Sequence, residues 1–231
     1  MTAETGSPGD RRPIKARNTR WARAVASRLA AAGVSPNAIS VGGMAAAIAA
    51  GAALYFTRHE IAAAPALWSV AAFLLFLRLL ANMFDGMVAI ESGKASRLGE
   101  LYNEVPDRVS DAAIFTGAGY AAGGSVELGL AAACVGLFVA YVRAAARVAG
   151  APSDYSGPMA KQQRMHVVIA ACCINGAGAL ISANRLFSWG PGGEWGVMAA
   201  ALSVVIAGGV ITAALRLRTA ARRLRGTDPG V

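Results

Sequence analysis

The feature that most constrains this chain is a succession of six apolar runs, each close to the length needed to cross a bilayer. A helix rises about 1.5 Å per residue, so roughly 20 apolar residues cover about 30 Å of hydrocarbon. The runs fall near 38–56, 61–89, 106–122, 126–148, 165–183 and 195–215. Backbone amides in lipid must pair within their own segment. These runs are continuous rather than alternating, which excludes the pattern of a membrane β-barrel. Composition agrees: the 231 residues are 55% hydrophobic and only 15% charged, with a mean hydropathy of +0.47. The expected fold class is an all-α integral membrane protein with six transmembrane helices and an N-terminal amphipathic interfacial helix.

The flanks read differently from the spans. Residues 1–12 are polar, with Gly, Ser, Thr and Pro, and read as a disordered tail. Residues 13–34 place Trp21, Ala24, Val25, Leu29 and Ala32 at helical spacing, with Arg20, Arg23 and Arg28 between them. That suits a juxtamembrane helix lying on an anionic membrane face, although an ordinary cap helix would show the same pattern. The membrane domain is expected over 35–216, entered through Ser35-Pro36-Asn37, a helix-start signal, and followed by a basic tail over 217–231. No apolar stretch before a small-residue cleavage site marks the first 30 residues as a secretory signal. Cys134, Cys172 and Cys173 all lie in apolar runs, without a CxxC or Cys/His pattern, and read as small buried hydrophobes.

The net charge of +9 reflects topology rather than nucleic-acid binding. Of the 22 Lys and Arg, Arg78, Arg143 and Arg147 lie well inside runs, whereas Arg108, at the edge of the third, counts with the adjoining loop. Only Arg58 and Arg185 fall in segments facing one side, and the remaining seventeen face the other. Positive charge marks the cytoplasmic side, so both termini and the loops near 90–105 and 149–164 are expected there. The expected location is a bacterial-type inner (plasma) membrane, crossed several times.

Between the second and third runs lies NMFDGMVAIESGKASRLGELYNEVPDRVSD, residues 82–111. Carboxylates at membrane depth are expensive and usually functional. Asn82 and Asp85 are three apart and share a helix face with Ala89; Asn103, Asp107 and Asp111 are each four apart and form one stripe. Two such stripes facing each other make a set of oxygen ligands suited to a hard divalent cation, Mg²⁺ or Mn²⁺, which pairs naturally with phosphate substrates. A spare acid beside the metal fits phosphoryl-type transfer, with the metal neutralising phosphate charge and the acid taking a proton from the attacking hydroxyl. Taken singly, each residue has a plainer role: Asn103 capping a helix whose first turn holds Pro106, Asp107 paired with Arg108, or Asp85 paired with Arg78.

The stretch resembles the signature of the CDP-alcohol phosphatidyltransferase family, D-x-x-D-G-x-x-A-R-x(8)-G-x-x-x-D-x-x-x-D. The register falls on Asn82, Asp85, Gly86, Ala89, Ile90, Gly99, Asn103 and Asp107, with the spacing intact. The resemblance implies a transferase that joins a CDP-linked lipid, usually CDP-diacylglycerol, to an acceptor hydroxyl in phospholipid biosynthesis and releases CMP. It implies Mg²⁺ or Mn²⁺ as cofactor, Asp85 as a metal ligand, Asp107 as ligand and base, and Gly86, Ala89 and Gly99 lining the nucleotide site. It also implies a homodimer.

The sequence departs from the signature at Asn82, Asn103 and Ile90, where the pattern has two aspartates and an arginine. It thereby resembles a variant bacterial subgroup with the continuation Asn103-Glu104 to Ser110-Asp111. An amide offers a metal its carbonyl oxygen without charge and bridges two ions poorly. Glu104 and Asp111 are near enough in sequence to compensate. The expected metal set is therefore Asn82, Asp85, Asn103, Asp107 and Asp111. Lys161 and Arg164, in the loop facing the same side, and Arg143 in the fourth run are candidates for an acceptor phosphate, with Asp85 or Asp111 as natural partners for Arg143. For Lys161 and Arg164, positive-inside topology is the plainer reading. A rival of another class is a non-catalytic or transport-type protein using the same acids for a cation or lipid headgroup. That rival would carry internal repeats and interrupted helices at mid-membrane, and neither is evident here.

Overall fold

The computed structural model describes Arg17, residues 19–93, 97–180, Gly190 and residues 193–227. Its regular elements are α1 (Arg20–Ala31), α2 (Pro36–His59), a 3₁₀ turn (Ile61–Ala63), α3 (Ala64–Glu91), α4 (Arg97–Tyr120), α5 (Val126–Val148), α6 (Lys161–Leu180) and α7 (Val197–Thr227). The expected tail over 1–12 lies outside the described residues.

Local chemistry sets the helix starts. Ser35 caps α2, its Oγ accepting the Ala38 N–H at 3.1 Å, with Pro36 in the first turn. Ser125 caps α5 in the same way through the Leu128 N–H. The carbonyl of Gly123 accepts the N–H groups of Gly196 and Ala199, which ties the α4–α5 turn to the start of α7.

Among the described residues, four helical segments are long and apolar enough to cross a membrane: α2, the 3₁₀ turn with α3, α5 and α7. The expected third and fifth spans correspond to α4 and α6. Both are helical and packed in the bundle, α4 against α2 and α5, and α6 against α3 and α7. Their hydropathy is lower for a physical reason. The first four turns of α4 carry the acidic motif, and α6 opens with Lys161, Arg164 and His166.

Three boundaries differ from expectation. The third helix begins at Arg97, not at Pro106, so Pro106 sits inside it. Proline removes one backbone hydrogen bond, which an end turn tolerates better than a helix centre. Ser110 Oγ donates to the Pro106 carbonyl at 2.7 Å across the following turn. Asn103 is therefore an interior residue of α4, not its cap. The connection from α3 is also short: Ser92 and Gly93 donate back to Val88 and Ile90, with Gly93 at a φ of 65°. Last, α7 continues to Thr227 without a break after residue 216, so the basic residues there extend a helix.

The helices cross closely because glycine faces glycine. A Cβ on Gly117 of α4 would lie 2.2 Å from the Gly51 carbonyl oxygen of α2, and one on Gly129 of α5 would lie 2.6 Å from Gly119 Cα of α4. Small residues give this backbone approach in apolar bundles. Around these crossings pack Leu54, Trp68, Leu75, Ile114, Phe115, Leu202 and Val205. Helix α1 docks separately on the end of α3. Ala22 and Ala26 are buried with Met83, Phe84, Met87 and Val88, and Trp21 meets Phe84 edge-on at 5.9 Å.

We expect Gly117→Ala to destabilise the bundle by about 1–3 kcal/mol, the usual cost of overpacking. Gly42→Ala, with open space at its Cβ, should be neutral or slightly stabilising. Thermal unfolding of the purified variants in detergent distinguishes the two.

Candidate active site

Helix α3 presents Asn82, Asp85, Gly86 and Ala89 near its C-terminal end. Asp85 is buried; its Oδ2 accepts the Ser40 hydroxyl of α2 at 2.9 Å and its Oδ1 accepts the Gly86 N–H at 2.6 Å. Asn82, Gly86, Ala89 and Gly99 are half-buried. The open side of Gly86 faces the guanidinium of Arg17, whose Nη2 lies 3.1 Å from where a Cβ would stand. Ile90, at the arginine position of the signature, is 56% exposed.

Helix α4 carries Glu104, Asp107 and Asp111 at spacings of three and four, one stripe along a single helix. Each carboxylate is met by a cation from another helix. Asp107 pairs with Arg78 of α3 and Lys161 of α6, and its other oxygen lies 3.7 Å from Arg108. Asp111 Oδ2 accepts Arg164 of α6 at 2.9 Å, with both side chains almost fully enclosed. Arg164 also donates to the Gly136 carbonyl of α5 at 3.3 Å. Glu104 pairs with Arg143 of α5, which lies over the Tyr155 ring at 5.3 Å. Arg78 Nε donates to Ser110 Oγ at 3.0 Å.

The structure thus brings together more than the sequence linked. Lys161, Arg164 and Arg143 each end on an acid of α4. Two partner assignments change: Arg78 meets Asp107 rather than Asp85, and Arg143 meets Glu104 rather than Asp85 or Asp111. The helix phase of α4 decides this, since Pro106 does not reset it and Glu104 stays on the Asp107–Asp111 face. Sequence reasoning passed over Arg17 and Ser40. A lone Ser in an apolar span carries little signal, and Arg17 was one of many N-terminal arginines. Asn103 Oδ1 is buried and accepts no hydrogen bond among the described residues.

Beside Arg143 the structure has a cleft lined by Val142, Pro152, Asp154, Arg216 and Arg223. Burial alone would raise the Asp154 carboxyl. Hydrogen bonds from Ser156, including its N–H at 2.8 Å, outweigh that with help from Arg216 and Arg223, and hold the group below its ordinary pKa. Arg216 Nε in turn donates to the Ser156 carbonyl at 3.0 Å, fixing the loop between α5 and α6 against α7.

Comparison with known proteins bears on this cluster. The family model for CDP-alcohol phosphatidyltransferase matches residues 33–208. The phosphatidylinositol phosphate synthase of Mycobacteroides abscessus is 27% identical over 199 residues, covering 84% of this chain and 80% of that protein. The corresponding synthase of Streptomyces avermitilis is 29% identical over 202 residues, covering 85% and 76%. Among solved structures, the fold is shared with the Mycobacterium tuberculosis phosphatidylinositol phosphate synthase. Its CDP-DAG-bound form has a TM-score of 0.65 at 23% identity, covering 92% and 96% of the two chains. Its complex with manganese and citrate has the same TM-score at 22% identity, covering 90% of each.

Asp111→Ala strips Arg164 of its carboxylate inside the bundle. The expected cost is about 3–5 kcal/mol, the penalty for a buried charge left alone, and Asp111→Leu combined with Arg164→Met should recover most of it. Thermal unfolding of the single and double variants checks this.

Proposed function

The chain belongs to the CDP-alcohol phosphatidyltransferase family, a multi-pass membrane transferase of phospholipid synthesis, and from that premise we propose its acceptor and the roles of its residues. The acceptor is a phosphorylated polyol of the inositol phosphate class, and the donor is CDP-diacylglycerol. The observation that carries the acceptor reading is the meeting of Lys161, Arg164 and Arg143 on the acidic stripe that also holds Asp107. The Arg143 guanidinium and the Lys161 ammonium would hold an acceptor phosphate so that its hydroxyl lies next to Asp107, with Arg164 enclosed behind them on Asp111. Two similar proteins bear the name phosphatidylinositol phosphate synthase, which supports the same choice.

In the reaction proposed, the acceptor oxygen attacks the phosphorus that carries the diacylglycerol. The bond from that phosphorus to the CMP oxygen breaks, CMP leaves, and the hydroxyl proton passes to Asp107. Arg78 and Lys161 hold the Asp107 carboxylate in place to receive that proton. Gly86, Ala89 and Gly99 keep side chains short where the nucleotide lies. Asn82, Asp85, Asn103 and Asp107 would hold the divalent cation, with Asp111 adjoining. Among the described residues no three His, Cys, Asp or Glu side chains gather as a metal set. The donors are instead two carboxylates and two amides, and the partnerless, buried Asn103 oxygen suits a hard cation of the Mg²⁺ or Mn²⁺ kind. When bound, that ion supplies charge neutralisation at the pyrophosphate. Family membership favours this reading over a transport-type protein.

The reading extends to orientation and assembly. The seventeen-to-two bias of Lys and Arg supports cytoplasmic termini and a cytoplasmic site in a bacterial inner membrane. The family resemblance supports a homodimer.

The test is CMP release from CDP-diacylglycerol by purified protein with Mg²⁺ or Mn²⁺ and a panel of acceptors. Turnover should be greatest with inositol phosphate and small with inositol itself; the reverse order refutes the acceptor class. Asp107→Asn should lower kcat by about 10²–10⁴-fold while the protein remains folded by size-exclusion profile. Arg143→Gln should raise KM for the phosphorylated acceptor by about 10–100-fold and leave KM for the CDP-lipid near wild type.

A further inference from the structure

We propose that Lys161 is a resident cation that takes the place of a second divalent ion, so that this centre binds one metal ion rather than a pair. The inference rests on the metal-dependent reading above and deepens it. It begins with charge. A pair of divalent ions calls for several anionic ligands, and the signature positions supply carboxylates only at Asp85 and Asp107; Asn82 and Asn103 are neutral. Two carboxylates balance one ion.

The place where a second ion would need its carboxylate is already held. The Lys161 ammonium, at the start of α6 and with only 13% of its side chain exposed, sits on Asp107 Oδ1. Arg78 of α3 reaches the same oxygen. A carboxylate bridging two ions would have to surrender that oxygen and leave two enclosed cations beside the incoming charge. Like charges at such range in a poorly screened site repel strongly.

The neighbouring acids do not make up the deficit. Asp111 is bound to Arg164, and Glu104 to Arg143. Turning either toward a metal would strand a guanidinium, for Arg164 one that is almost fully buried, which is strongly unfavourable. What remains is a donor set for a single ion: Asp85, the second oxygen of Asp107, the Asn82 amide, and the enclosed Asn103 oxygen that accepts nothing among the described residues. On this view the two asparagines and Lys161 belong together. The chain has exchanged two carboxylates and an ion for two amides and an ammonium.

The experiment counts Mn²⁺ on the purified full-length protein in lipid nanodiscs, by electron paramagnetic resonance titration and by metal analysis. The wild type should saturate at one ion per chain. Lys161→Gln should bind that ion about tenfold or more tightly, since a nearby positive charge is gone. Asn82→Asp with Asn103→Asp and Lys161→Gln should take up two ions; if this triple variant does not fold, the single variant carries the test. Two ions on the wild type, none at all, or an unchanged or weakened affinity in Lys161→Gln overturns the proposal. Measuring CMP release on the same samples separates it from the transferase reading. A chain that releases CMP while holding two ions refutes the single-ion centre alone, whereas one ion with no CMP from any acceptor refutes the transferase reading alone.

Discussion

Everything at the acidic end of this bundle depends on the neutralisation of one acidic stripe. Glu104, Asp107 and Asp111 lie on a helix that an apolar bundle would otherwise reject, because a lone carboxylate removed from water costs several kcal/mol. The solution is cations from three other helices: Arg78 from α3, Arg143 from α5, Lys161 and Arg164 from α6. These contacts also tie three helices to α4 at defined heights. The stripe is therefore a structural hub as well as the candidate centre of chemistry. Removing one member disturbs the register of a helix along with the charge of the site.

Charge alone does not bring the helices near enough for this. The glycine crossings set the distance: Gly51 against Gly117, and Gly119 against Gly129, let α4 lie backbone to backbone on α2 and α5. Ser40 of α2 then reaches Asp85, and Arg164 of α6 reaches both Asp111 and the Gly136 carbonyl of α5. Packing in the apolar half thus fixes polar geometry in the other half. The two halves meet at Phe115, packed in the core one turn beyond Asp111.

Much of this is legible in the sequence. Apolar runs gave the helix order, and α5 fell on its expected residues because Ser125 and the Gly123-Gly124 turn mark its start without ambiguity. The motif spacing placed Asn82 and Asp85 on one helix and Asn103 and Asp107 on the next in sequence. The start of α4 was not legible, because Pro106 is a strong helix-start signal when read locally. In the structure Pro106 lies inside a continuous helix, with ion-paired residues on both sides of it. The extent of α7 was missed for the opposite reason: its last three turns are polar, and hydropathy ends where the helix does not. Which cation meets which acid was beyond sequence, since Arg78, Arg143, Lys161 and Arg164 are interchangeable as letters. They are distinguished by the height and phase of the helix that carries each.

Where the signature has an arginine, this chain has Ile90 and a guanidinium from elsewhere in the fold. Ile90 is largely exposed and brings no charge to Gly86. A guanidinium is nevertheless there, from Arg17, more than sixty positions earlier in the chain. Its position follows from α1, whose Ala22 and Ala26 are buried against Met83, Phe84, Met87 and Val88 on the turns of α3 that carry Asp85 and Gly86. An amphipathic helix that merely rested on the membrane surface would have no reason to present small residues to α3. The alanine pair allows close docking, the Trp21–Phe84 contact sets the angle, and Arg17 is carried to the open side of the one glycine whose missing side chain leaves room for it. The N-terminal segment thus lies against the turn of α3 that carries Gly86, and brings to it a guanidinium that no linear motif records.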